Sequence, residues 1–127
     1  MRRRLSILAV DDEPRFLESL RLALDGMHEV ETCKGAAEAL AIVDAEGKRP
    51  DIILCDLSMP EMDGATFYDR IEALGLADRF VLMTGGAFTS RASEFMSRNV
   101  CPTIGKPFQI ERLLAIIEKI TRDRTAS

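Results

Sequence analysis

The sequence contains few of the residues that form disulfide frameworks and zinc sites. Its three cysteines, Cys33, Cys55 and Cys101, are odd in number, lie far apart and include no CxxC pair. His28 is its only histidine. Disulfide scaffolds and zinc sites both need a richer and more closely spaced set of ligands. We therefore interpret the three cysteines as free thiols of a cytosolic protein.

A long hydrophobic run is also lacking. Arginines at positions 2–4 precede an apolar stretch, as they do in a signal peptide, but that stretch stops at Asp11 after about six residues. A span across a bilayer takes roughly 18 apolar residues. We expect no export signal, no membrane insertion and a cytoplasmic location.

Positive charge is not in excess. Seventeen lysines and arginines stand against 21 aspartates and glutamates, which gives a net charge of −4. A protein that binds the phosphate backbone of nucleic acids has the opposite balance. We therefore expect no direct nucleic-acid partner.

The residues that are present fit one soluble domain. The chain has 127 residues, of which 46% are hydrophobic and 30% charged, as is ordinary for a folded protein. A chain of this length can bury a sizeable core without disulfides or metal. We expect one domain over residues 1–127, with its core at about 5–120 and a frayed polar tail at 122–127.

Five short segments are predicted to be β-strands. Four are nearly continuous apolar runs, which is typical of buried parallel strands, and one alternates polar and apolar residues, which is typical of an edge strand. The apolar runs are 5–10, 51–56, 79–84 and the weaker 102–105, and the alternating segment is 29–33.

The segments between and after the strands carry the spacing of amphipathic helices. Apolar side chains recur three or four residues apart in four stripes: Phe16, Leu20, Leu24 and Met27; Ala36, Leu40 and Val43; Phe67, Ile71 and Leu74; Ile110, Leu113, Leu114 and Ile117. A shorter helix is predicted over about 91–98. We assign the stripes to the core rather than to docking faces. The alternation predicts an α/β fold with helices on both faces of a parallel sheet.

Polar side chains stand at the carboxyl ends of four predicted strands. They are Asp11, Asp12 and Glu13 after the first strand, Asp56 at the third, Thr84 at the fourth and Lys106 after the fifth. In an open parallel sheet, ligands bind at this edge. The predicted fold therefore brings these groups together in one site.

The crowded carboxylates favour a divalent cation, because without one they repel and at least one takes up a proton. Oxygen ligands suit Mg²⁺, and Mn²⁺ could substitute for it. We predict Asp12, with help from Asp11, as a metal ligand beside Asp56, and the Ser58 backbone carbonyl as a further ligand. Alternatively, Asp12 and Glu13 only begin a helix, where the dipole favours acids, but that reading does not explain Asp56.

An aspartate can accept a phosphoryl group when cations neutralise the charge on the transferred oxygens. Asp56 is best placed for this role. The Lys106 ammonium would balance one phosphoryl oxygen and the Thr84 hydroxyl would donate to another. A solvated surface lysine is the alternative for Lys106, but its position directly after a strand favours an inward direction. Glycines at 85–86 would let the loop after Thr84 move.

The order and spacing of these residues resemble the receiver domain of two-component response regulators, over about 5–120. The matching segments are Val10 to Glu13, Asp51 to Asp56, Leu57 to Gly64, Met83 to Gly85 and Lys106 to Phe108. The resemblance implies a flavodoxin-like, doubly wound sheet of five parallel strands in the order 2-1-3-4-5, with five helices.

The resemblance also implies a role for each matching residue. Asp56 would be the phosphoacceptor, Asp11 and Asp12 the acidic pair that serves Mg²⁺, and Thr84 and Lys106 the switch residues that stabilise the phosphoryl group. The residues that would shape the surrounding loops are Met59, Pro60, Asp63, Gly64, Gly85 and Pro107.

The implied function is that of a signalling phosphoprotein in a phosphorelay. Asp56 would receive its phosphoryl group from a phosphohistidine on a histidine kinase or a histidine phosphotransfer protein, and partner binding at the fourth helix, fifth strand and fifth helix would switch. The donor must be another chain, because His28 lies in a loop between a helix and a strand. A receiver is not an enzyme on other substrates; it catalyses only its own phosphorylation and dephosphorylation.

Two departures separate this chain from many receivers. Thr103 stands where an aromatic residue often moves with the switch threonine, and Gly86 stands where a larger side chain is frequent. Together with the stretch 83–88, Thr103 makes the chain resemble receivers attached to hybrid histidine kinases.

Three alternatives follow from the same residues. Thr103 is compatible with a docking module that works without phosphorylation. A phosphatase with an aspartyl intermediate needs a general acid near Asp56, and Ser58 cannot serve as one at neutral pH. A nucleotide-binding module is disfavoured, because acids rather than a glycine-rich phosphate loop follow the first strand.

Overall fold

The computed structural model describes residues 3–59, 62–85 and 90–126. Its strands are β1 (Ser6–Val10), β2 (Glu29–Cys33), β3 (Ile52–Asp56), β4 (Phe80–Thr84) and β5 (Thr103–Gly105). Its α-helices are α1 (Pro14–Leu24), α2 (Ala36–Leu40), α3 (Gly64–Ala73), α4 (Ser90–Ser97) and α5 (Ile110–Ala126). Strands and helices alternate along the chain, as predicted.

The five strands form one parallel sheet in the order β2-β1-β3-β4-β5. The predicted strand order is confirmed. The order reverses between β1 and β3, which pair from Ile7 with Ile52 to Val10 with Cys55. In doubly wound folds the ligand site lies beyond the carboxyl ends of the strands at this reversal. Asp11 and Asp56 stand at this point.

The buried side chains of the described residues form a hydrophobic cluster on each face of the sheet. Ile53 and Cys55 of β3 belong to the cluster covered by α2, α3 and α4, and Ile52 and Leu54 to the one covered by α1 and α5. Both faces of β3 and β4 are therefore buried, which explains their nearly continuous apolar sequences. β2 lies at the edge and is only partly buried, as its alternating sequence predicts.

Two helices differ from their predicted extents. α1 ends at Leu24, so Met27 lies in the following turn, where Gly26 adopts a φ of +84° that ends the helix. α2 passes directly into a π-helical turn at Ala41–Ala45, which contains Val43 of the predicted stripe. The spacing of apolar residues alone does not distinguish an α-helical turn from a π-helical turn.

The predicted tail at 122–127 is helical in its described part, because α5 extends to Ala126. The Arg124 guanidinium donates to the backbone carbonyl of Asp51 and lies 3.5 Å from its Oδ1. This contact joins the last turns of α5 to the start of β3. The polar sequence of the segment does not reveal such a distant partner.

Cys33, Cys55 and Cys101 carry free thiols. Burial, reinforced by nearby glutamates, raises the pKa of Cys33 to about 12, and burial raises the pKa of Cys101 to about 11. Burial also raises the pKa of Cys55 well above its ordinary value. The three thiols are therefore neutral at physiological pH and poor nucleophiles.

Among the described residues, no helix combines the length and the hydropathy that a membrane span requires.

Candidate functional site

Three aspartates meet at the carboxyl edge of the sheet. Asp11 follows β1 and is fully buried, Asp56 ends β3 and is 7% exposed, and Asp12 is exposed to solvent. One carboxylate oxygen of each lies within 4.8 Å of the others. The structure thus brings together the acidic residues that were predicted to meet from the ends of two strands, β1 and β3.

Asp11 is held rigidly in this cluster. Its backbone N–H donates to the carbonyl of Cys33 at 3.0 Å, which extends the pairing of β1 with β2. Its Oδ1 accepts a hydrogen bond from the backbone N–H of Glu13 at 3.0 Å. This local turn directs the carboxylate into the site and leads the chain into α1.

Lys106 supplies the positive charge of the site. Its Nζ lies 2.7 Å from Asp11 Oδ2 and 3.4 Å from Asp56 Oδ1. Its side chain is 17% exposed. Its ammonium therefore points into the acidic cluster and is not that of a solvated surface lysine.

The pKa values of the two facing groups, Asp56 and Lys106, are both raised. Burial, followed by the charge of Asp11, raises the pKa of Asp56, and the contact with Lys106 only partly opposes this. Burial alone would lower the pKa of Lys106, but its hydrogen bond to Asp11 and the charges of both aspartates raise it above its usual value. Lys106 therefore carries its positive charge beside a carboxylate whose ionised form is less favourable than it would be in water.

Thr84 reaches the same edge through strand pairing. It ends β4, is 8% exposed and pairs in register with Gly105. Its backbone carbonyl accepts a hydrogen bond from the Lys106 N–H, so the end of β4 fixes the backbone from which Lys106 projects. Thr84 therefore lies next to the backbone of Lys106, at the same edge of the sheet as Asp56.

Asp63 and Gly64, two of the predicted loop residues, bring the start of α3 close to the end of β3. Asp63 caps α3 by accepting a hydrogen bond from the Thr66 N–H at 2.9 Å. The Gly64 N–H donates to the Leu57 carbonyl at 2.9 Å, and a Cβ at Gly64 would stand 2.9 Å from the Asp56 carbonyl oxygen. Only glycine permits this approach.

The other loop residues differ in their surroundings. Met59 is buried and Ser58 is exposed in the same loop, while Pro60 lies outside the described residues. A Cβ on Gly85 would lie 3.5 Å from Lys106 Cβ, which is an ordinary contact. Pro107 follows Lys106 through a cis peptide bond.

Thr103 begins β5 with an exposed side chain. The position where many receivers carry a mobile aromatic residue therefore holds a small polar group at the surface. Gly86 and Phe88, the other residues of the hybrid-kinase resemblance, lie outside the described residues.

Sequence reasoning missed one contact of the site. The Lys106 ammonium lies 4.3 Å from the ring centroid of Phe16, and Phe16 makes an edge-on contact with Phe108 at 6.0 Å between centroids. Phe16 was assigned to the core stripe of α1, and it is in fact half-buried at the edge of that core. Its position in the first turn after Asp11 and Asp12 was the available signal.

The donor set fits a hard divalent cation. All three clustered side chains offer carboxylate oxygens, one of them exposed enough to admit a hydrated ion. Mg²⁺ favours such oxygens and keeps several waters, whereas zinc favours nitrogen and sulfur. The residues therefore fit Mg²⁺.

Comparison with known proteins identifies the family of this chain. Residues 7–118 match the family model of the response regulator receiver domain. Two-component response regulator ARR11 of Arabidopsis thaliana is 31% identical over 121 residues, which cover 94% of this chain and 23% of that protein. Response regulator MprA of Mycobacterium leprae is 31% identical over 119 residues, which cover 93% of this chain and 51% of that protein. The chain thus spans about a quarter to a half of the length of these two relatives.

Solved structures show the same fold. The chemotaxis protein CheY4 of Vibrio cholerae superposes with a TM-score of 0.77 at 25% identity, over 93% of this chain and 99% of that one. A response regulator receiver protein from Pseudomonas putida superposes with a TM-score of 0.78 at 26% identity, over 94% and 99%. The chain therefore belongs to the response regulator receiver domain family, the phosphoacceptor domains of two-component signalling.

Proposed function

We propose that Asp56 is the residue of this chain that accepts the phosphoryl group, from a phosphohistidine on a histidine kinase or a histidine phosphotransfer protein. Asp11, Asp12, Asp56 and the Ser58 carbonyl would hold Mg²⁺, for which Mn²⁺ could substitute. The observation that carries the proposal is that Asp56 contacts Lys106 within the acidic cluster, at the reversal point of the sheet.

The contacts of the two buried carboxylates, Asp11 and Asp56, favour Asp56 as the nucleophile. Asp11 is fully buried, with Oδ1 bonded to the Glu13 N–H and Oδ2 to Lys106. In the described part of the chain, Asp56 receives a side-chain hydrogen bond at Oδ1 only. Its second oxygen is therefore available to attack an incoming phosphorus atom.

The transfer step moves a phosphoryl group from the donor imidazole to Asp56. An oxygen of Asp56 forms a bond to phosphorus while the bond from phosphorus to the imidazole nitrogen of the donor breaks, and the electron pair of that bond stays on the imidazole. Lys106 neutralises charge that gathers on a phosphoryl oxygen, and the Thr84 hydroxyl donates to another. When bound, Mg²⁺ supplies the further positive charge that such transfer needs.

Phosphorylation then changes the negative charges that attract the Lys106 ammonium. The phosphoryl group adds negative charge next to Asp56 and attracts the ammonium that now lies closest to Asp11. Thr84 and the loop after β4 would follow, and the surface of α4, β5 and α5 would present the change to a protein partner. Ser58 offers no general acid two residues from Asp56, so turnover of small phosphate esters is not expected.

The test is phosphoryl incorporation from a phosphorylated histidine donor, measured by intact-protein mass spectrometry with and without Mg²⁺. One added phosphoryl group is expected in the wild type with Mg²⁺, and none in Asp56→Asn. Asp25→Asn is the matched control, because Asp25 is an exposed aspartate at the end of α1, and it should be labelled normally. Full labelling of Asp56→Asn would refute the assignment.

A partner pull-down with unmodified and phosphorylated protein tests the signalling role. Thr103 is the observation that favours a docking module independent of phosphorylation, since it removes the usual aromatic from β5. Different partner retention in the two states supports the switch. Equal retention would favour the docking module.

A further inference from the structure

We propose that Phe16 is a positioning residue for Lys106: its ring face supports the ammonium between Asp11 and Asp56, and Phe108 holds that ring in place. This inference rests on the proposed phosphoacceptor function of Asp56. The sequence pattern predicts Phe16 as a core residue of α1, whereas this inference gives it a contact with the reaction centre.

The contacts of Lys106 account for three sides of its ammonium. Two sides face carboxylates, with Nζ 2.7 Å from Asp11 Oδ2 and 3.4 Å from Asp56 Oδ1. A third side faces the Phe16 ring, 4.3 Å from its centroid. That distance is well inside the roughly 6 Å range in which an aromatic ring attracts a cation.

The Phe16 ring is itself fixed from two directions. It stands in the first turn of α1, two residues after Pro14 begins the helix. Phe108 meets it at an interplanar angle of 81°, and both rings pack against the cluster between the sheet, α1 and α5. Lys106 and Phe108 are two residues apart in sequence and contact the same ring, so the ring locks α1 to the turn that carries the lysine.

An aromatic face suits a lysine that must change partners. Hydrogen bonds donated by the ammonium to a polar residue would hold it in one direction and oppose its movement from Asp11 toward a phosphorylated Asp56. A ring attracts the ammonium through its quadrupole without a fixed hydrogen-bond direction, and it excludes water from that side. A leucine in the same place would exclude water but would not attract the charge.

Simple core packing is the competing account of Phe16. It predicts that any apolar side chain of similar size at position 16 supports normal phosphorylation, whereas the positioning account requires an aromatic ring. The substitutions Phe16→Leu and Phe16→Tyr separate the two accounts, because only the tyrosine keeps the ring. Urea unfolding of both variants shows whether packing has been preserved.

The first readout is the rate of phosphorylation by acetyl phosphate with Mg²⁺. Phe16→Leu is expected to slow labelling about fivefold, and Phe16→Tyr to stay within about twofold of the wild type. Wild-type labelling by Phe16→Leu would overturn the proposal. Equal slowing by Leu and Tyr would also overturn it, because the effect would then come from packing.

The second readout is independent of metal and of labelling. The chain has only four lysines, so the side-chain ε-methylene signals can be resolved by NMR and that of Lys106 identified with Lys106→Arg. The ring current of Phe16 should shift the Lys106 signal upfield in the wild type and in Phe16→Tyr, but not in Phe16→Leu. An unshifted wild-type signal would overturn the proposal.

The two readouts distinguish this inference from the function on which it rests. If wild-type protein is labelled but Phe16→Leu is labelled equally fast, only the role of Phe16 fails. If wild-type protein is never labelled, the proposed function fails. If the Lys106 ε-methylene signal is also the same with and without the Phe16 ring, the contact between Phe16 and Lys106 fails as well.

Discussion

Lys106 Nζ lies 2.7 Å from Oδ2 of Asp11, across 95 residues of sequence, and the aspartate that it pairs with is fully buried. This ion pair fixes the resting position of the ammonium. The pair also means that a phosphoryl group on Asp56 must compete with Asp11 for the same cation. Signalling by this domain would therefore begin with a change of partner by one lysine.

Replacing that lysine tests its double role. Lys106→Met should cost about 2–3 kcal/mol of unfolding free energy, because it leaves a buried carboxylate without its cation. It should also slow phosphorylation by about 100-fold, because charge on the transferred group is no longer balanced. Urea unfolding and the rate of labelling measure the two effects.

The matched control for this substitution is Lys48→Met. Lys48 pairs with Glu31 at 3.5 Å, and both side chains are about half exposed. Its loss should change stability by about 0.5 kcal/mol or less and leave labelling unchanged. Equal effects of the two substitutions would contradict a special role for Lys106.

The pH dependence of stability tests the electrostatics of Asp56. Burial and the charge of Asp11 raise the pKa of Asp56 above its ordinary value of 3.8, so the ionised carboxylate destabilises the metal-free fold. This cost is fully present above the folded-state pKa and disappears as the pH falls through that pKa toward the unfolded value. Asp56→Asn should therefore be more stable than the wild type at neutral pH without Mg²⁺.

The measurement is urea unfolding in EDTA at several pH values. The advantage of Asp56→Asn should shrink as the solution is acidified, and added Mg²⁺ should reduce it at neutral pH by stabilising the wild type. An advantage that grows with acidification would show that the sign of the pKa shift is wrong.

Magnesium binding can be read from thermal stability. At a Mg²⁺ concentration ten times its Kd, the wild type should gain about 1.4 kcal/mol. Asp12→Asn should lose most of this gain, and it should fold normally because Asp12 is exposed.

Glu13→Gln is the matched control for Asp12→Asn. Glu13 is also exposed and precedes α1, but it does not belong to the group of clustered carboxylates. It should keep the full Mg²⁺ response. Equal losses in both variants would favour a general helix-dipole effect over a specific metal site.

The fold and the main contacts of the site could be predicted because the signals are local. Asp11 and Lys106 directly follow strands and Asp56 ends one, and a parallel sheet brings such strand ends together whatever their separation in sequence. The position of β2 at the edge of the sheet could be predicted from a similarly local signal, since alternating side chains face opposite sides of a strand.

The contacts that were missed depend on tertiary structure. The ring of Phe16 has the same helical spacing as core residues, so periodicity could not show that one face meets Lys106. Arg124 looks like part of a polar tail, yet its partner is Asp51, 73 residues earlier. Such pairings follow from how α1 and α5 pack on the sheet, which no local pattern encodes.

The close approach of Gly64 to the backbone of Asp56 gives a test of packing. In Gly64→Ala the new Cβ would stand 2.9 Å from the Asp56 carbonyl oxygen and 3.0 Å from Leu57 Cα, and both are backbone atoms that cannot move aside easily. We expect a loss of about 1–3 kcal/mol in unfolding free energy and slower phosphorylation.

Gly105→Ala provides the comparison at the same edge of the sheet. A Cβ at Gly105 meets no atom within 4 Å. This variant should unfold at nearly the wild-type urea concentration. If Gly64→Ala were equally stable, the close approach at Gly64 would not constrain the loop.

The most direct test of the account is to locate the phosphorylated residue itself. Borohydride reduction of an aspartyl phosphate converts the aspartate to homoserine, and peptide mass spectrometry then identifies the position. After phosphorylation in Mg²⁺, we predict homoserine at position 56 alone. Homoserine at position 11 or 12, or at no position in a labelled protein, would contradict the assignment of Asp56 as the phosphoacceptor.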